Sequence, residues 1–411
     1  MRINCLKGTT DYLPEVVELR DYLQSVILRT YQNNGYEKIE TPIIEDLENL
    51  DKSDGGENLN LIFKVMKRGE KLAKAIEAGD FKNLADIGLR YDLTLPLTRY
   101  YAANRNNLSN PFKVIQMGNV FRAEQPQKGR LRQFVQCDID VIGSDSPSTE
   151  TELIDVMAKT LMNIGIKNFK VKINDRRVLN DMLMSAGFKE DELPSVCITF
   201  DKQDKIGADG VEAELLEKGF APSVVTKFKS LIQDGEITLE KAKEFCENKQ
   251  YVESLATIIS QVETLAEGKY GIVFDMSLVR GQGYYTGTIF EIESLDFGSS
   301  IAGGGRYDNL VGKFLGETIP AVGFSIGFER ICSILLDAGF KIPSKQEKLM
   351  VIYQEEEIVE AIKYADTLRD KYDVALTLRP KKLGKLFGKL EDSGYAGCYV
   401  MGDEEIKFFN K

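Results

Sequence analysis

The sequence predicts an α+β protein in which a mainly antiparallel sheet is interrupted by a helical insertion and followed by a small C-terminal α/β domain. Three patterns carry this. Residues 112–120 and 133–142 read as two strands joined by a long polar hairpin that carries Pro126 and Gly129. From about 175 to 268 strand signals give way to mixed charged and apolar helical patterns, and strand signals then return. Beyond Pro343 and Ser344 strand and helix alternate, as in a largely parallel sheet. The implied organisation is a first sheet portion over 1–174, an insertion over 175–268, completion of the sheet over 269–343, and a terminal domain over 344–411.

Along the chain, residues 12–33 space Leu13, Val16, Val17, Leu19, Leu23, Val26, Ile27 and Leu28 at a helical period and stop at Gly35, which predicts an amphipathic helix. YEKIETPIIE alternates like a strand, with Pro42 tolerated only at an edge or bulge. Residues 64–77 and 150–162 read as helices and 169–174 as a short strand. Within the insertion, 239–247 and 251–267 are helical patterns. Strands are expected at 271–275, 287–293 and 299–303, then a buried helix near 327–336. The terminal domain reads LMVIY, a helix over 355–371, VALTL, a helix near 383–390, and CYVMG.

Composition narrows the chemistry. At 411 residues, 43% hydrophobic and 28% charged, the chain is an ordinary globular protein of two or three domains. The N-terminus lacks the apolar core of a secretory signal, and no apolar run approaches the ~20 residues that cross a bilayer, so no membrane partner and a cytoplasmic location are expected. Six cysteines lie scattered without CxxC spacing, which suggests neither a disulfide framework nor a thiolate zinc site. The chain contains no histidine, so any chemistry runs on carboxylates, guanidinium groups and bound metal. A net charge of −11 disfavours nucleic acid globally, yet basic clusters stand at Arg122 to Arg132, Lys172 to Arg177 and Arg379 to Lys389.

FRAEQPQKGRLRQFVQCDID, over 121–140, concentrates chemistry suited to a nucleotide. Arg122, Arg130 and Arg132 are planar forks that match phosphate oxygens, and Phe134 offers a face to a purine. Gln136 and Asp140 remain for a second, polar ligand. Together with RYDLTLPLTRY (90–100), KINDRRVL (172–179), LVRGQGYYTGTIFE (278–291), AGGGRYDNLVG (302–312) and AVGFSIGFER (321–330), this segment resembles the histidyl-tRNA synthetases in motif order and approximate spacing. The resemblance begins at KGTTDYLP and runs to the C-terminus, and includes the three signatures of class II synthetases.

The resemblance implies a class II synthetase-type antiparallel catalytic sheet and an anticodon-binding-like terminal domain. It also implies a homodimer built on the first helix and strand. The reaction would be ATP-dependent activation of L-histidine and its transfer to tRNA(His). Arg122, Arg280 and Arg330 would be catalytic: Arg122 and Arg280 at the α-phosphate and the reacting carboxylate, Arg330 at the far phosphates. ATP would also meet Glu124, Arg130 and Phe134, with Mg²⁺ offsetting the triphosphate charge. Histidine would be held by Asp92, Thr94 and Gln136 at its amino and carboxylate end, by Asp140, Tyr284 and Tyr285 at the ring, and by close approach of the backbone at Gly304.

Two departures stand out. The chain reads RGQGYY where many relatives read RGLDYY, placing Gln282 and Gly283 at those positions, and FFNK follows soon after CYVMGDEEI where relatives usually continue through another strand and helix, so a shortened terminal domain is expected. The alternative reading is a non-catalytic synthetase-like regulatory subunit of ATP phosphoribosyltransferase. Its sequences typically lose basic residues of the phosphate-binding hairpin, whereas QKGRLRQF is intact here.

Overall fold

A computed structural model describes residues 3–51, 60–125, 131–233, 237–279, 284–343 and 345–409. The chain forms two compact units, Met1–Gly339 and Phe340–Lys411. The larger is organised on an eight-stranded sheet. Its strands run, in spatial order, Glu37–Lys38, Phe112–Phe121, Gln133–Ile142, Ala321–Gly327, Ser299–Arg306, Thr288–Ser294, Phe169–Asp175 and Gly271–Phe274. Every neighbouring pair is antiparallel except the two outermost, 37–38 with 112–121 and 169–175 with 271–274.

Side-chain alternation decides what each face does. On the 133–142 strand Val135, Cys137, Ile139 and Val141 are buried apolar residues. The first helix, Pro14–Asn33, packs on this strand and buries Leu19, Leu23, Ile27 and Tyr31, one helical face at i, i+4 spacing. Helix Ser148–Asn163 lies against both this helix and Lys249–Ala266. The intervening positions Gln136, Asp138 and Asp140 share the other face of the strand.

The insertion is helical, with Arg176–Ala186, Leu193–Phe200, Gln203–Glu217, Pro222–Gln233, Leu239–Phe245 and Lys249–Ala266 between two strands of the same sheet. Its interior is aromatic: Phe188 meets Phe220 and Phe228 edge-on, and Phe200 meets Phe228 in the same way. The second unit has a four-stranded sheet in the order 372–378, 347–353, 395–400, 407–408; the first three are mutually parallel and the last pairs antiparallel. Among the described residues, no helix is long and apolar enough to cross a membrane.

Several expectations are corrected. YEKIETPIIE is not one strand: Glu37–Lys38 joins the large sheet and Ile44–Asp46 a separate three-stranded sheet, and Pro42, which has no N–H to donate, stands between them. Residues 64–77 are not one helix. Lys64–Met66 is a strand, and the helix starts at Glu70 after Gly69, whose φ of 57° suits a residue without a side chain. The strands Ala85–Leu89 and Ala321–Gly327 and the helix Thr94–Asn104 were not anticipated, nor was the short strand Lys407–Phe408.

Candidate active site

One cavity of about 410 Å³ opens on the polar face of the sheet, lined among others by Arg122, Glu124, Phe134, Gln136, Asp138, Asp140, Tyr285 and Arg330. Strand register explains why it exists. Asp140 stands opposite Gly323, which stands opposite Gly305; Asp138 stands opposite Ser325, which stands opposite Gly303. Directly paired residues share a face, so the row beside each acid is small or bare and leaves room for a ligand. A Cβ on Gly323 would lie 1.8 Å from Asp140 Oδ1, so the carboxylate occupies space that any side chain there would claim. Gly304 is turned to the opposite face. Its Cβ would strike the Gly323 carbonyl at 2.0 Å and the Phe290 ring at 2.8 Å, so this glycine answers to core packing while its backbone borders the cavity.

The two ends of the cavity differ in chemistry. At one end the Arg122 guanidinium lies 5.0 Å from the Phe134 ring centroid and donates from Nε to the Tyr91 carbonyl at 3.1 Å. Arg330, on the helix Phe328–Asp337, is exposed and donates to the Ser300 carbonyl, next to an irregularity in the pairing between Ser300 and Ala302. Glu124 lines the same end. Beneath it Glu329 accepts from Arg20 Nη2 at 2.8 Å, from the Tyr12 hydroxyl at 3.0 Å and from the Val135 N–H at 3.1 Å. Burial first, then Glu329, pushes Tyr12 up to about 12.

At the other end are buried acids. Asp140 is 3% exposed and accepts from the Tyr307 hydroxyl at 2.5 Å on Oδ1, while its Oδ2 has no hydrogen-bond partner. Burial pushes Asp140 up to about 7, the Tyr307 bond opposing this and the nearby Asp92 adding to it. Asp92 accepts from Leu95 N at 3.1 Å, at the start of helix Thr94–Asn104; its Oδ2 is unpartnered and burial raises its carboxyl. Gln136 donates to Ser325 Oγ at 3.2 Å and keeps Oε1 unpartnered. Tyr284 is buried and hydrogen-bonds Thr94 and Tyr285, whose ring centroid is 4.9 Å away.

The expected site residues Asp92, Thr94, Arg122, Glu124, Phe134, Gln136, Asp140, Tyr284, Tyr285, Gly304 and Arg330 thus meet in or beside one cavity. Arg130 and Arg280 lie outside the described residues, as do Gln282 and Gly283. Arg132 does other work: its N–H donates to the Gly8 carbonyl at 2.7 Å and its Nε to Glu124 O at 3.1 Å, tying down the N-terminal segment. The cluster from Lys172 to Arg177 is not a free basic face. Lys172 pairs with Asp275 at 3.1 Å and Glu293 at 3.3 Å, and Arg177 with Asp175 at 2.6 Å.

Sequence reasoning passed over Asp138, Tyr307 and Glu329. Period-two alternation from Gln136 and Asp140 would have found Asp138, whereas the partners of Glu329 are more than three hundred residues away in sequence at Arg20 and Tyr12. Among the described residues no group of three Cys, Asp or Glu is placed to hold a metal ion. The cavity as it stands can neutralise a phosphate at one end and offer hydrogen-bond acceptors to protonated nitrogens at the other.

The profile of the family described as histidyl-tRNA synthetase matches residues 8–331. A histidine–tRNA ligase of Leifsonia xyli is 45% identical over 80% of this chain and 79% of its own length. That of Porphyromonas gingivalis is 35% identical over 97% and 92%. The solved histidyl-tRNA synthetase of Nostoc sp. PCC 7120 superposes with a TM-score of 0.80 at 30% identity, covering 98% of this chain and 93% of that one. A Bacillus halodurans protein titled ATP phosphoribosyltransferase regulatory subunit/histidyl-tRNA synthetase shares the fold at a TM-score of 0.78 and 22% identity. A profile match over most of the chain, relatives above 30% identity over nearly all of it and a cavity assembled from the motif residues together establish that this chain belongs to the histidyl-tRNA synthetase family.

Proposed function

We propose that the protein joins L-histidine to tRNA(His): it activates histidine with ATP to histidyl-adenylate, then transfers the histidyl group to the 3′ end of the tRNA, releasing pyrophosphate and AMP. The observation that carries this reading is the polarity of the cavity, with guanidinium groups at one end and unpartnered buried acceptors at the other. Relatives named histidine–tRNA ligase support the same activity.

Activation needs the histidine carboxylate to attack the α-phosphorus of ATP, which brings two anions together and builds charge on the phosphoryl oxygens. Arg122 neutralises that charge from the nucleotide side, sliding from its place over Phe134 while the adenine takes the ring face. Arg280 approaches from the substrate side, Arg130 takes the γ-phosphate and Arg330 the far phosphates. Glu124 holds the adenine amino group or a water. Mg²⁺ fits the nucleotide end of the cavity, because that ion is held chiefly by substrate phosphates and one or two acids and Glu124 lines this end; Glu124 is the residue that would hold it, and the ion would neutralise the triphosphate. Asp92, Thr94 and Gln136 hold the amino and carboxylate end of histidine. Asp140, Tyr284 and Tyr285 surround the ring, and the backbone at Gly304 closes on the substrate.

The same reading extends to assembly and place. A homodimer is supported by Leu13, Val17, Ile43 and Ile44, large apolar side chains 71%, 39%, 42% and 53% exposed on and beside the first helix. The terminal 344–411 domain, with Arg379, Lys381, Lys382, Lys385 and Lys389 close in sequence, is the anticodon-side contact to tRNA, and the protein works in the cytoplasm. Histidine-dependent exchange of pyrophosphate into ATP, measured without tRNA, tests the activity. The proposal expects exchange, and an Arg280→Ala variant that folds but exchanges nothing. A wild-type protein that exchanges nothing would instead fit a non-catalytic regulatory subunit.

A further inference from the structure

Buried acceptors without partners are rare because each retains an uncompensated desolvation cost. This cavity concentrates four: Asp92 Oδ2, Gln136 Oε1, Asp138 Oδ1 and Asp140 Oδ2. Asp138 is the one that the reaction described above does not use. It is 4% exposed, lines the cavity, and stands on the same strand face as Gln136 and Asp140, two residues from each. Of its neighbours across the sheet, Ser325 hydrogen-bonds the Asp138 carboxyl and Gln116 spends its amide on the Leu93 carbonyl and the Thr41 hydroxyl, so Oδ1 stays without a partner.

An ammonium carries three N–H donors and no acceptor. Asp140 is committed on one oxygen to Tyr307 and sits beside the tyrosine cluster, which leaves its second oxygen for a ring N–H. The remaining unpartnered acceptors, on Asp92, Gln136 and Asp138, equal in number the donors of an ammonium. We propose that Asp138 is a further substrate-binding residue, the third acceptor for the α-ammonium group of the amino acid, completing a set with Asp92 and Gln136. This rests on the reading of the cavity as the histidine site.

Electrostatics agree with the geometry. Burial, and next the neighbouring Asp140, hold the Asp138 carboxyl well above the usual carboxylate range, with the Ser325 hydrogen bond opposing and Asp92 adding to the effect. Three acids facing one another repel once ionised, and a cation seated among them relieves that repulsion; the ammonium is that cation. Selectivity follows: the pocket favours ligands with a protonated amine over ligands with the ring and carboxylate alone.

The test compares wild type with Asp138→Asn, which keeps the shape, and Asp138→Ser, which withdraws the acceptor. In the exchange assay the histidine KM should rise roughly 10- to 100-fold, the range expected for a hydrogen bond to a charged group, more for Ser than for Asn, with the ATP KM changed less than about twofold. Calorimetry supplies the decisive arm with two probes, histidinol, which has the amine but no carboxylate, and imidazolepropionate, which has the carboxylate but no amine. Both substitutions should weaken histidinol by the same factor as histidine and leave imidazolepropionate unchanged. Equal weakening of the two probes, or of neither, overturns the proposal. Because removing one of three neighbouring acids should not lower the apoprotein's thermal midpoint, the variants are expected to fold. Absence of exchange by wild type would defeat the proposed activity alone, since the two probes read Asp138 without turnover.

Discussion

The two ends of one cavity solve the problem of binding charge in opposite ways. At the nucleotide end the charged groups are partly exposed and already satisfied: Arg122 by Phe134 and the Tyr91 carbonyl, Arg330 by the Ser300 carbonyl. At the amino-acid end the acids are buried, carry unpartnered oxygens and hold their protons unusually tightly. An arginine in water keeps its charge at little cost and must be redirected onto the phosphate, so the nucleotide end is flexible and electrostatic. A buried acid is unfavourable until its ligand arrives, so the amino-acid end is preorganised and selective. Substitutions should therefore separate: changes at the arginines should strike turnover, and changes at the acids should strike histidine affinity and stability.

The largest effect is expected at the nucleotide end. Arg122→Ala should lower exchange by roughly 10²- to 10³-fold, the range for losing one donor to developing charge, with an unchanged melting temperature. A variant of undiminished exchange rate would break the contrast. At the amino-acid end Asp140→Asn should raise the histidine KM by roughly 10- to 100-fold and barely move that for ATP, as steady-state exchange would measure.

The same substitution sharpens the contrast through pH. Because Asp140 is raised from 3.8 to about 7 on folding, the folded chain keeps a proton that the unfolded chain releases between those values. The stability contributed by the protonated carboxyl is complete below 3.8 and lost as pH rises through about 7. Asp140→Asn, which stays neutral, should thus stabilise the apoprotein more at pH 8 than at pH 5, read from urea midpoints. A pH-independent difference would show that Asp140 is not held protonated.

Smaller changes come from the support beneath the nucleotide end. Glu329→Gln weakens the hold on Arg20, Tyr12 and the Val135 N–H together, and should cost about 1–3 kcal/mol in stability with a few-fold rise in the ATP KM. Unchanged stability would mean this anchor is dispensable. The smallest effect on activation should follow removal of 344–411: exchange is spared and charging of tRNA falls. Full charging by the shortened protein would deny the terminal domain a part in tRNA binding.

Much of this was legible in the chain because the signals are local. The strands 112–121 and 133–142 flank a polar hairpin marked in sequence by Pro126 and Gly129, and the insertion carries helical patterns. Elements buried on both faces lose side-chain alternation, which is why Ala321–Gly327 was read only as a motif and not as a strand. Site residues with a chemical signature, such as Arg122 and Asp140, could be named from their types. Glu329 could not, because its role depends on Arg20 and Tyr12, brought close only by the fold. Asp138 and the turn of Gly304 away from the cavity depend on strand parity, which the sequence contains but composition does not reveal.

The central claim, that opposite ends of one cavity take ATP and histidine, is tested most directly by a crystal structure with L-histidine and a non-hydrolysable ATP analogue bound together. The account predicts adenine on Phe134, Arg122 moved onto the α-phosphate, the ring nitrogen at Asp140, and the ammonium among Asp92, Gln136 and Asp138. Histidine seated away from these acids, or ATP outside the cavity, would contradict it.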